Sequence, residues 1–347
     1  MTHTWPALLA DLLAGHDLTA EAAAWAMGDV VNGDATPARL GAFLAALRAK
    51  GETAAEVDGL VTALLGSAAP IVVPGPTLDI VGTGGDGTNA VNISTMAAIV
   101  VAATGTTVVK HGGRAASSTT AGAADVVERL GVPLSVPAGA HAAIAAAAGI
   151  TFIFAGAAHP GMSRAAPIRR DLGVPTVFNV LGPLINPARP AHRLIGVADP
   201  RLLPVVAEVL RRRGASALVV RGDDGLDKLT TTTTSRVWVV RDFTATEHVL
   251  DPREQGIPRP ADGALRGGDA DANAAVVHAL LAGERGPVRD AVLLNAAAAT
   301  LAATPAAAAP LDSLDKALVR CAEAIDSGAA ATTLATWRDA AQTYHRS

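Results

Sequence analysis

The sequence predicts an α/β protein with a small N-terminal helical domain and a larger α/β domain whose mostly parallel central sheet is flanked by helices. Three observations carry this. Apolar residues recur at helical spacing through the first part of the chain. A proline-rich break follows, with Pro70, Pro74 and Pro76 inside Ala68 to Thr77. Beyond Leu78, short β-rich runs alternate with helical patterns, the arrangement that gives parallel strands joined by helical crossovers. A chain of 347 residues has room for roughly two compact units of about 150 residues. The boundaries read as 1–73 for the helical domain and 74–347 for the α/β domain.

In the helical domain, Leu40, Phe43, Leu44 and Leu47 follow Thr36-Pro37, a capping residue with proline at the first helical position. Thr53 and Glu56 have the spacing of a capping box. The prolines after Ala68 lack the amide hydrogen that a helix interior needs, so this segment is a linker or hinge. Candidate strands are Leu78–Val81, Thr107–Val109, Ile150–Phe154, Leu194–Val197 and Leu218–Arg221, and Thr230–Thr234 through Val240 is also read as extended. Residues 142–158 are uncharged and approach the ~20 residues of a bilayer span. Gly149 and the β-rich Ile150–Phe154 divide them instead into a buried helix and a buried strand. The alanine-rich stretch 271–345 is expected to be helical, with Pro305 and Pro310 as breaks, and no fixed-period repeat is visible.

Composition narrows the function classes. Apolar residues make up 50% and charged residues 17%, with one cysteine, Cys321, which excludes a disulfide scaffold and a cysteine-based zinc site. Basic and acidic residues number 28 and 32, the net charge is −4 and aromatics are 3%, a poor match to a basic, base-stacking nucleic-acid surface. The opening Met1-Thr2-His3-Thr4-Trp5-Pro6 has no basic segment leading into an apolar run, so no signal peptide is expected. A reduced, cytoplasmic protein with no nucleic-acid or membrane partner is the expectation.

Four blocks carry chemistry. The first is Asp79-Ile80-Val81 followed by Gly82-Thr83-Gly84-Gly85-Asp86-Gly87, with Asn92-Ile93-Ser94-Thr95 opening a helix. A glycine-rich turn between strand and helix lets backbone N–H groups close on phosphate oxygens, and the helix N-terminus adds positive potential. A tight turn without ligand has the same signature, and the spacing fits neither the Walker loop nor the dinucleotide fingerprint. The second is Lys110-His111-Gly112-Gly113-Arg114 with Ser117-Ser118, after the next candidate strand. It sets two cations, hydroxyls and free backbone in one turn, as a diphosphate requires, and His111 is expected to titrate near neutrality. Loops after parallel strands open on one sheet edge, where ligands of open α/β folds bind. The third block runs from Phe154 to Asn186 and includes His159-Pro160, Arg169-Arg170, Phe178-Asn179 and Leu181-Gly182-Pro183. The fourth, Gly222-Asp223-Asp224-Gly225-Leu226-Asp227, places carboxylates at a strand end, either a turn or a Mg2+ position beside a phosphate ligand.

The order of these blocks, together with Arg289-Asp290-Ala291-Val292-Leu293-Leu294-Asn295-Ala296, resembles anthranilate phosphoribosyltransferase, an enzyme of tryptophan biosynthesis, over nearly the whole chain. The resemblance implies transfer of the phosphoribosyl group of 5-phospho-α-D-ribose 1-diphosphate (PRPP) to the amine of anthranilate, with Mg2+. It also implies a homodimer formed through the helical domains, which helices from about 165 to 190 would join. By motif match, Gly82, Thr83, Gly84, Gly85, Asp86, Asn92, Ile93, Ser94 and Thr95 would line the PRPP site. Lys110, His111, Gly112, Gly113, Arg114, Ala115, Ala116, Ser117 and Ser118 would wrap its phosphates. Ser94 and Asp227 would meet Mg2+. Arg169 would read the anthranilate carboxylate, a task suited to a planar bidentate donor. Gly82, Gly113 and His159 would complete the acceptor side. His111 and Arg169 are the catalytic candidates, His111 by orienting the acceptor or by taking the amine proton. A pyrimidine-nucleoside phosphorylase and a non-catalytic paralogue share parts of the pattern, but Arg169 and Asp227 speak against the first and the intact loops against the second.

The chain departs from the family pattern where ligands bind. Gly113 stands for the usual Asn, Gly156 for the usual Pro, Ala90 for the usual Thr and Lys228 for the Glu after Asp227, and Thr119 to Ala124 is one residue longer. Gly113 and Gly156 imply a reshaped acceptor pocket, so that a different aromatic acceptor in specialised metabolism is the alternative reading. Replacing a carboxylate by an ammonium beside Mg2+ reverses the local charge, and each unit-charge pair is worth about 4 kcal/mol at ~4 Å and an effective dielectric near ~20. A second Mg2+ is therefore not expected, and Lys228 is expected to reach the diphosphate itself.

Overall fold

The computed structural model describes residues 3–114, 120–304 and 310–345. Four helices come first: α1 (Trp5–Leu13), α2 (Ala20–Asn32), α3 (Pro37–Lys50) and α4 (Ala54–Ser67). Threonine caps α1 to α4 at Thr4, Thr19, Thr36 and Thr53, each side chain accepting from an amide of the first turn. The capping box of Thr53 and Glu56 is present, and Glu56 does more than cap. It is fully buried, accepts from Leu18 N at 2.9 Å and pairs with Lys50 at 3.1 Å, tying α4 to α3 and to the turn that leads into α2.

Residues 68–77 form neither helix nor strand, as their prolines require. The α/β part then runs β1 (Leu78–Gly82), α5 (Ile93–Ala103), β2 (Val108–Gly112), α6 (Ala123–Arg129), α7 (Ala140–Ala148), β3 (Ile150–Phe154), α8 (Ala155–Ala158), α9 (Ala165–Leu172) and α10 (Phe178–Leu181). It continues through β4 (His192–Gly196), α11 (Leu203–Arg212), β5 (Ser216–Gly222), β6 (Ser235–Arg241), β7 (Thr244–Leu250), α12 (Ala270–Leu281), α13 (Pro287–Ala303), α14 (Leu314–Asp326) and α15 (Ala329–His345). The sheet order is β3-β2-β1-β4-β5-β6-β7, parallel from β3 to β5 and antiparallel at β6 and β7. Among the described residues no helix is long and apolar enough to cross a membrane.

Strand alternation sorts the core. Leu194, Leu218 and Val220 face one apolar cluster with α5 and α13, while Ile195, Ala217 and Val219 face the other with α11. That second cluster also contains Val57, Leu60 and Leu64 of α4 and Val177, Phe178, Val180 and Leu181 around α10, so the helical unit and the sheet share apolar packing. Arg48 crosses to Asp199 at 2.8 Å, Arg213 pairs with Asp58, and Arg164 donates to the Asn32 carbonyl at 2.7 Å.

Three expectations need correction. Thr230–Thr234 is not extended: its hydroxyls bond Asp223, Asp224 and one another, which bends the chain, and the strand begins at Ser235. β2 continues past Val109 to Gly112, so Lys110 and His111 are strand residues rather than turn residues. The C-terminal helices also break at 282–286, ahead of Pro287, while Pro305 lies outside the described residues.

Candidate phosphate and acceptor site

The loop after β1 is set by Asp227. Gly82 and Gly196 are register partners on β1 and β4, and both abut this residue. A Cβ on Gly82 would sit 2.1 Å from Asp227 Oδ2, and one on Gly196 would sit 1.5 Å from the Asp227 carbonyl oxygen. Asp227 therefore lies across the ends of two adjacent strands, where its Oδ2 accepts from Gly84 N at 2.7 Å. Its backbone N–H donates to Asp86 Oδ2 at 3.3 Å, closing the contact between the first and fourth blocks. Gly84, Gly85 and Gly87 take φ of 66°, 72° and 69°, left-handed values that explain the glycine run. The carboxylates of Asp223 and Asp224 turn instead to Arg236 and the threonine loop, so of the three aspartates only Asp227 meets the glycine loop.

Because Lys110 and His111 are consecutive strand residues, they point to opposite faces. Lys110 is buried; its ammonium donates to the Ile80 carbonyl and to Ser94 Oγ at 3.3 Å, between the β1 loop and the start of α5. Burial lowers its pKa to about 8, with Asp79 opposing the shift. His111 Nδ1–H donates to the Gly182 carbonyl at 3.2 Å, which leaves Nε2 buried without a partner among the described residues. Burial, then the neighbouring His159, depress its pKa to about 3, so the expected titration near neutrality is corrected: His111 is held as a neutral imidazole with a free acceptor nitrogen. His159 stands edge-on to it at 5.5 Å between ring centroids and donates from Nε2 to the Ile185 carbonyl at 2.8 Å.

α10 joins these groups to Arg169. Asn179 Oδ1 accepts from Thr176 N at 3.2 Å and from Arg169 Nη2 at 3.4 Å, and its Nδ2 packs 3.5 Å from the Cβ position of Gly85. Arg169 lies over the Phe178 ring at 5.3 Å, and among the described residues no carboxylate pairs with it. A cleft of about 280 Å3 opens on the glycine-loop side of Asn179, lined by Thr83, Gly85, Asp86, Thr176, Asn179 and Arg48. A second, of about 330 Å3, runs beside His159 between Val31, Leu64 and Met162.

Other expected residues fall as follows. Asn92 opens α5 and is held by Ala121 O and Asn273, while Ile93 and Thr95 are buried under the helix start. Arg114 pairs with Asp125 at 2.8 Å and Glu128 at 2.9 Å on α6, so its guanidinium is engaged away from the β1 loop. Gly113 has open space at its Cβ position, whereas a Cβ on Gly156 would meet the Phe154 ring at 2.8 Å. Ala115, Ala116, Ser117, Ser118 and Thr119 lie outside the described residues.

Two buried polar supports escaped the sequence reading. Asp79 accepts from His111 N at 3.1 Å and from Asn186 Nδ2 at 2.9 Å, and Asn186 also donates to Val109 O at 2.8 Å. This network, with Lys110 and Arg193 beside the carboxylate, fixes β2 against β1. Asn295 of α13 clamps Leu229 through N at 3.1 Å and O at 2.8 Å, two residues beyond Asp227. An aspartate inside the apolar run Leu78–Val81 was the one local signal for the first.

Residues 74–331 match the glycosyl transferase family a/b domain, and residues 6–68 match the helical bundle domain of that family. The anthranilate phosphoribosyltransferase of Nocardioides sp. is 56% identical over 334 residues, 96% of this chain and 98% of the relative. The crystal structure of the Thermus thermophilus enzyme superposes with a TM-score of 0.89 at 40% identity, covering 96% of this chain and 99% of that one. The Saccharomyces cerevisiae enzyme, solved in complex with PRPP and Mg, gives 0.88 at 27% identity with 98% of both chains covered. Matched in both halves and over nearly its full length, the chain belongs to the anthranilate phosphoribosyltransferase family.

Proposed function

We infer that this chain transfers the 5-phosphoribosyl group of PRPP to the amine of anthranilate, releasing diphosphate and giving N-(5-phosphoribosyl)anthranilate for tryptophan biosynthesis. The observation that carries the reading is the meeting at α10 of a guanidinium with no carboxylate partner among the described residues, a neutral histidine and the glycine loop. Each substrate requires one part of it. PRPP is a polyanion and suits the β1 loop with Lys110; anthranilate is an aromatic carboxylate and suits Arg169 over Phe178.

In the reaction the amine attacks ribose C1 as the C1–O bond to diphosphate breaks with its electron pair, so positive charge grows on the sugar and negative charge on the leaving group, and the acidic anilinium product loses its proton to the departing diphosphate or to water. Catalysis comes from positioning and from cations aimed at the leaving group. Lys110, protonated below its pKa of about 8, supplies one such cation at neutral pH. The free Nε2 of His111 accepts a hydrogen bond from the amine and so orients its lone pair; with a pKa near 3, it is a poor resting place for the proton. This supports orientation over general-base catalysis. His159 borders the acceptor path.

The donor set here would suit a Mg2+ carried by PRPP. Among the described residues no three His, Cys, Asp or Glu side chains gather to hold a metal alone. The Ser94 hydroxyl at the loop would hold it together with diphosphate oxygens, hard oxygen donors of the kind Mg2+ takes when it is bound mainly by substrate. When bound it neutralises charge on the departing diphosphate. The homodimer through the helical domains, the division at residues 73 and 74, and a cytoplasmic location belong to the same reading. Diphosphate release that requires both substrates, and is lost in Arg169→Ala while PRPP binding is retained, tests it; release without anthranilate contradicts it.

A further inference from the structure

Two carboxylates and one ammonium converge at the mouth of the β1 loop. Lys228 Nζ contacts Asp227 Oδ1 and lies 3.7 Å from Asp86 Oδ2. The three side chains are 17%, 2% and 13% exposed, so the group is largely enclosed. Each carboxylate spends its other oxygen on backbone: Asp227 Oδ2 on Gly84 N at 2.7 Å, and Asp86 Oδ1 on Thr88 N at 3.0 Å. The remaining oxygens, Asp227 Oδ1 and Asp86 Oδ2, both face the Lys228 ammonium from loops of two different strands, and Asp86 Oδ2 also accepts from Asp227 N at 3.3 Å. Hard oxygens converging in this way are what a divalent cation takes. Here a side-chain cation fills the point.

We propose that Lys228 replaces a protein-held divalent cation: it neutralises the Asp86–Asp227 pair, and its ammonium faces the leaving diphosphate, so the protein without substrate binds no divalent ion at this loop. The single Mg2+ then arrives on PRPP. This rests on the functional reading above for the identity of the diphosphate, but not for the state of the carboxylate pair. An ion pair that merely braces the loop predicts something different, because removing the ammonium would then loosen the loop without creating a cation site.

The test is a Mn2+ titration of the EDTA-treated full chain without PRPP, followed by electron paramagnetic resonance of free Mn2+, on the parent, Lys228→Glu and Lys228→Gln. The proposal expects no binding by the parent at millimolar Mn2+, one ion per chain for Lys228→Glu, and at least tenfold weaker binding for Lys228→Gln. Calorimetry of PRPP binding at varied Mg2+ should show first-order dependence in the parent and second-order dependence in Lys228→Glu. Thermal unfolding of each variant establishes that it is folded; if Lys228→Glu is not, the parent against Lys228→Gln carries the same comparison. Mn2+ binding by the parent as tight as by the variants, or no gain in either variant, overturns the proposal. Failure of every form to bind PRPP overturns the functional reading and leaves the Mn2+ comparison standing.

Discussion

Placing a methyl group on Gly196 tests the architecture of the phosphate loop. Its Cβ would sit 1.5 Å from the Asp227 carbonyl oxygen, 2.4 Å from the Asp227 carbonyl carbon and 3.2 Å from Lys228 N. All three atoms are backbone, so no rotamer change relieves the contact and the 227–228 segment must move by more than an ångström. The carboxylate of Asp227 then leaves Gly84 N, a buried charge-assisted bond of about 2 kcal/mol, and overpacking adds a similar amount, so Gly196→Ala should destabilise the chain by about 4 kcal/mol. PRPP affinity should fall by about 100-fold, since small misplacements of binding groups carry losses of that order. Urea unfolding followed by tryptophan fluorescence reads the first effect and calorimetric titration with PRPP the second. Gly66→Ala, an exposed helical position with nothing within 4 Å, is the control and should gain about 0.5–1 kcal/mol. If Gly196→Ala unfolds with the parent and binds PRPP within about twofold of it, Asp227 does not set the loop and the reasoning fails.

Other consequences concern buried polar groups and the acceptor side. His111 has a folded pKa of about 3, below its unfolded value of about 6.5, so the unfolded chain binds more protons between those limits and stability falls on acidification through that window. The loss should be about 2 kcal/mol between pH ~7 and ~5, and His111→Asn should flatten it in urea titrations; an unchanged slope contradicts a buried neutral His111. Asp79→Asn turns one acceptor into a donor facing His111 N or Asn186 Nδ2 and leaves Lys110 and Arg193 without their carboxylate, a cost of about 3–5 kcal/mol; less than about 1 kcal/mol in urea unfolding argues against the network. Gly113→Asn has room for its side chain and should leave stability within about 0.5 kcal/mol while lowering the KM for anthranilate by up to about tenfold; a change in the PRPP KM instead moves Gly113 to the donor side.

How much of this was legible in the sequence depends on range. Ile150–Phe154 is read correctly because a buried parallel strand is a continuous apolar run, and the glycine loop is read because left-handed backbone leaves a local signature at Gly84, Gly85 and Gly87. β2 is cut short because Lys110 and His111 are polar, and their burial depends on Ile80 O and Gly182 O, which lie far away in sequence. Thr230–Thr234 carries β-branched side chains, but the hydroxyls find Asp223 and Asp224 before a neighbouring strand does. That Asp227 rather than Asp223 or Asp224 meets the loop follows from the paired glycines of β1 and β4, a register that no local pattern encodes. The roles of Asp79, Asn186 and Asn295 are likewise hydrogen bonds between distant segments.

The most direct test of the central claim is the fluorescence of anthranilate mixed with the purified chain, PRPP and Mg2+. The account predicts loss of the anthranilate signal with one diphosphate released per anthranilate consumed, dependent on PRPP and abolished in Arg169→Ala. Persistent anthranilate fluorescence while PRPP is bound contradicts the assignment of the acceptor, and with it the reading of Arg169 and His111 as one substrate site.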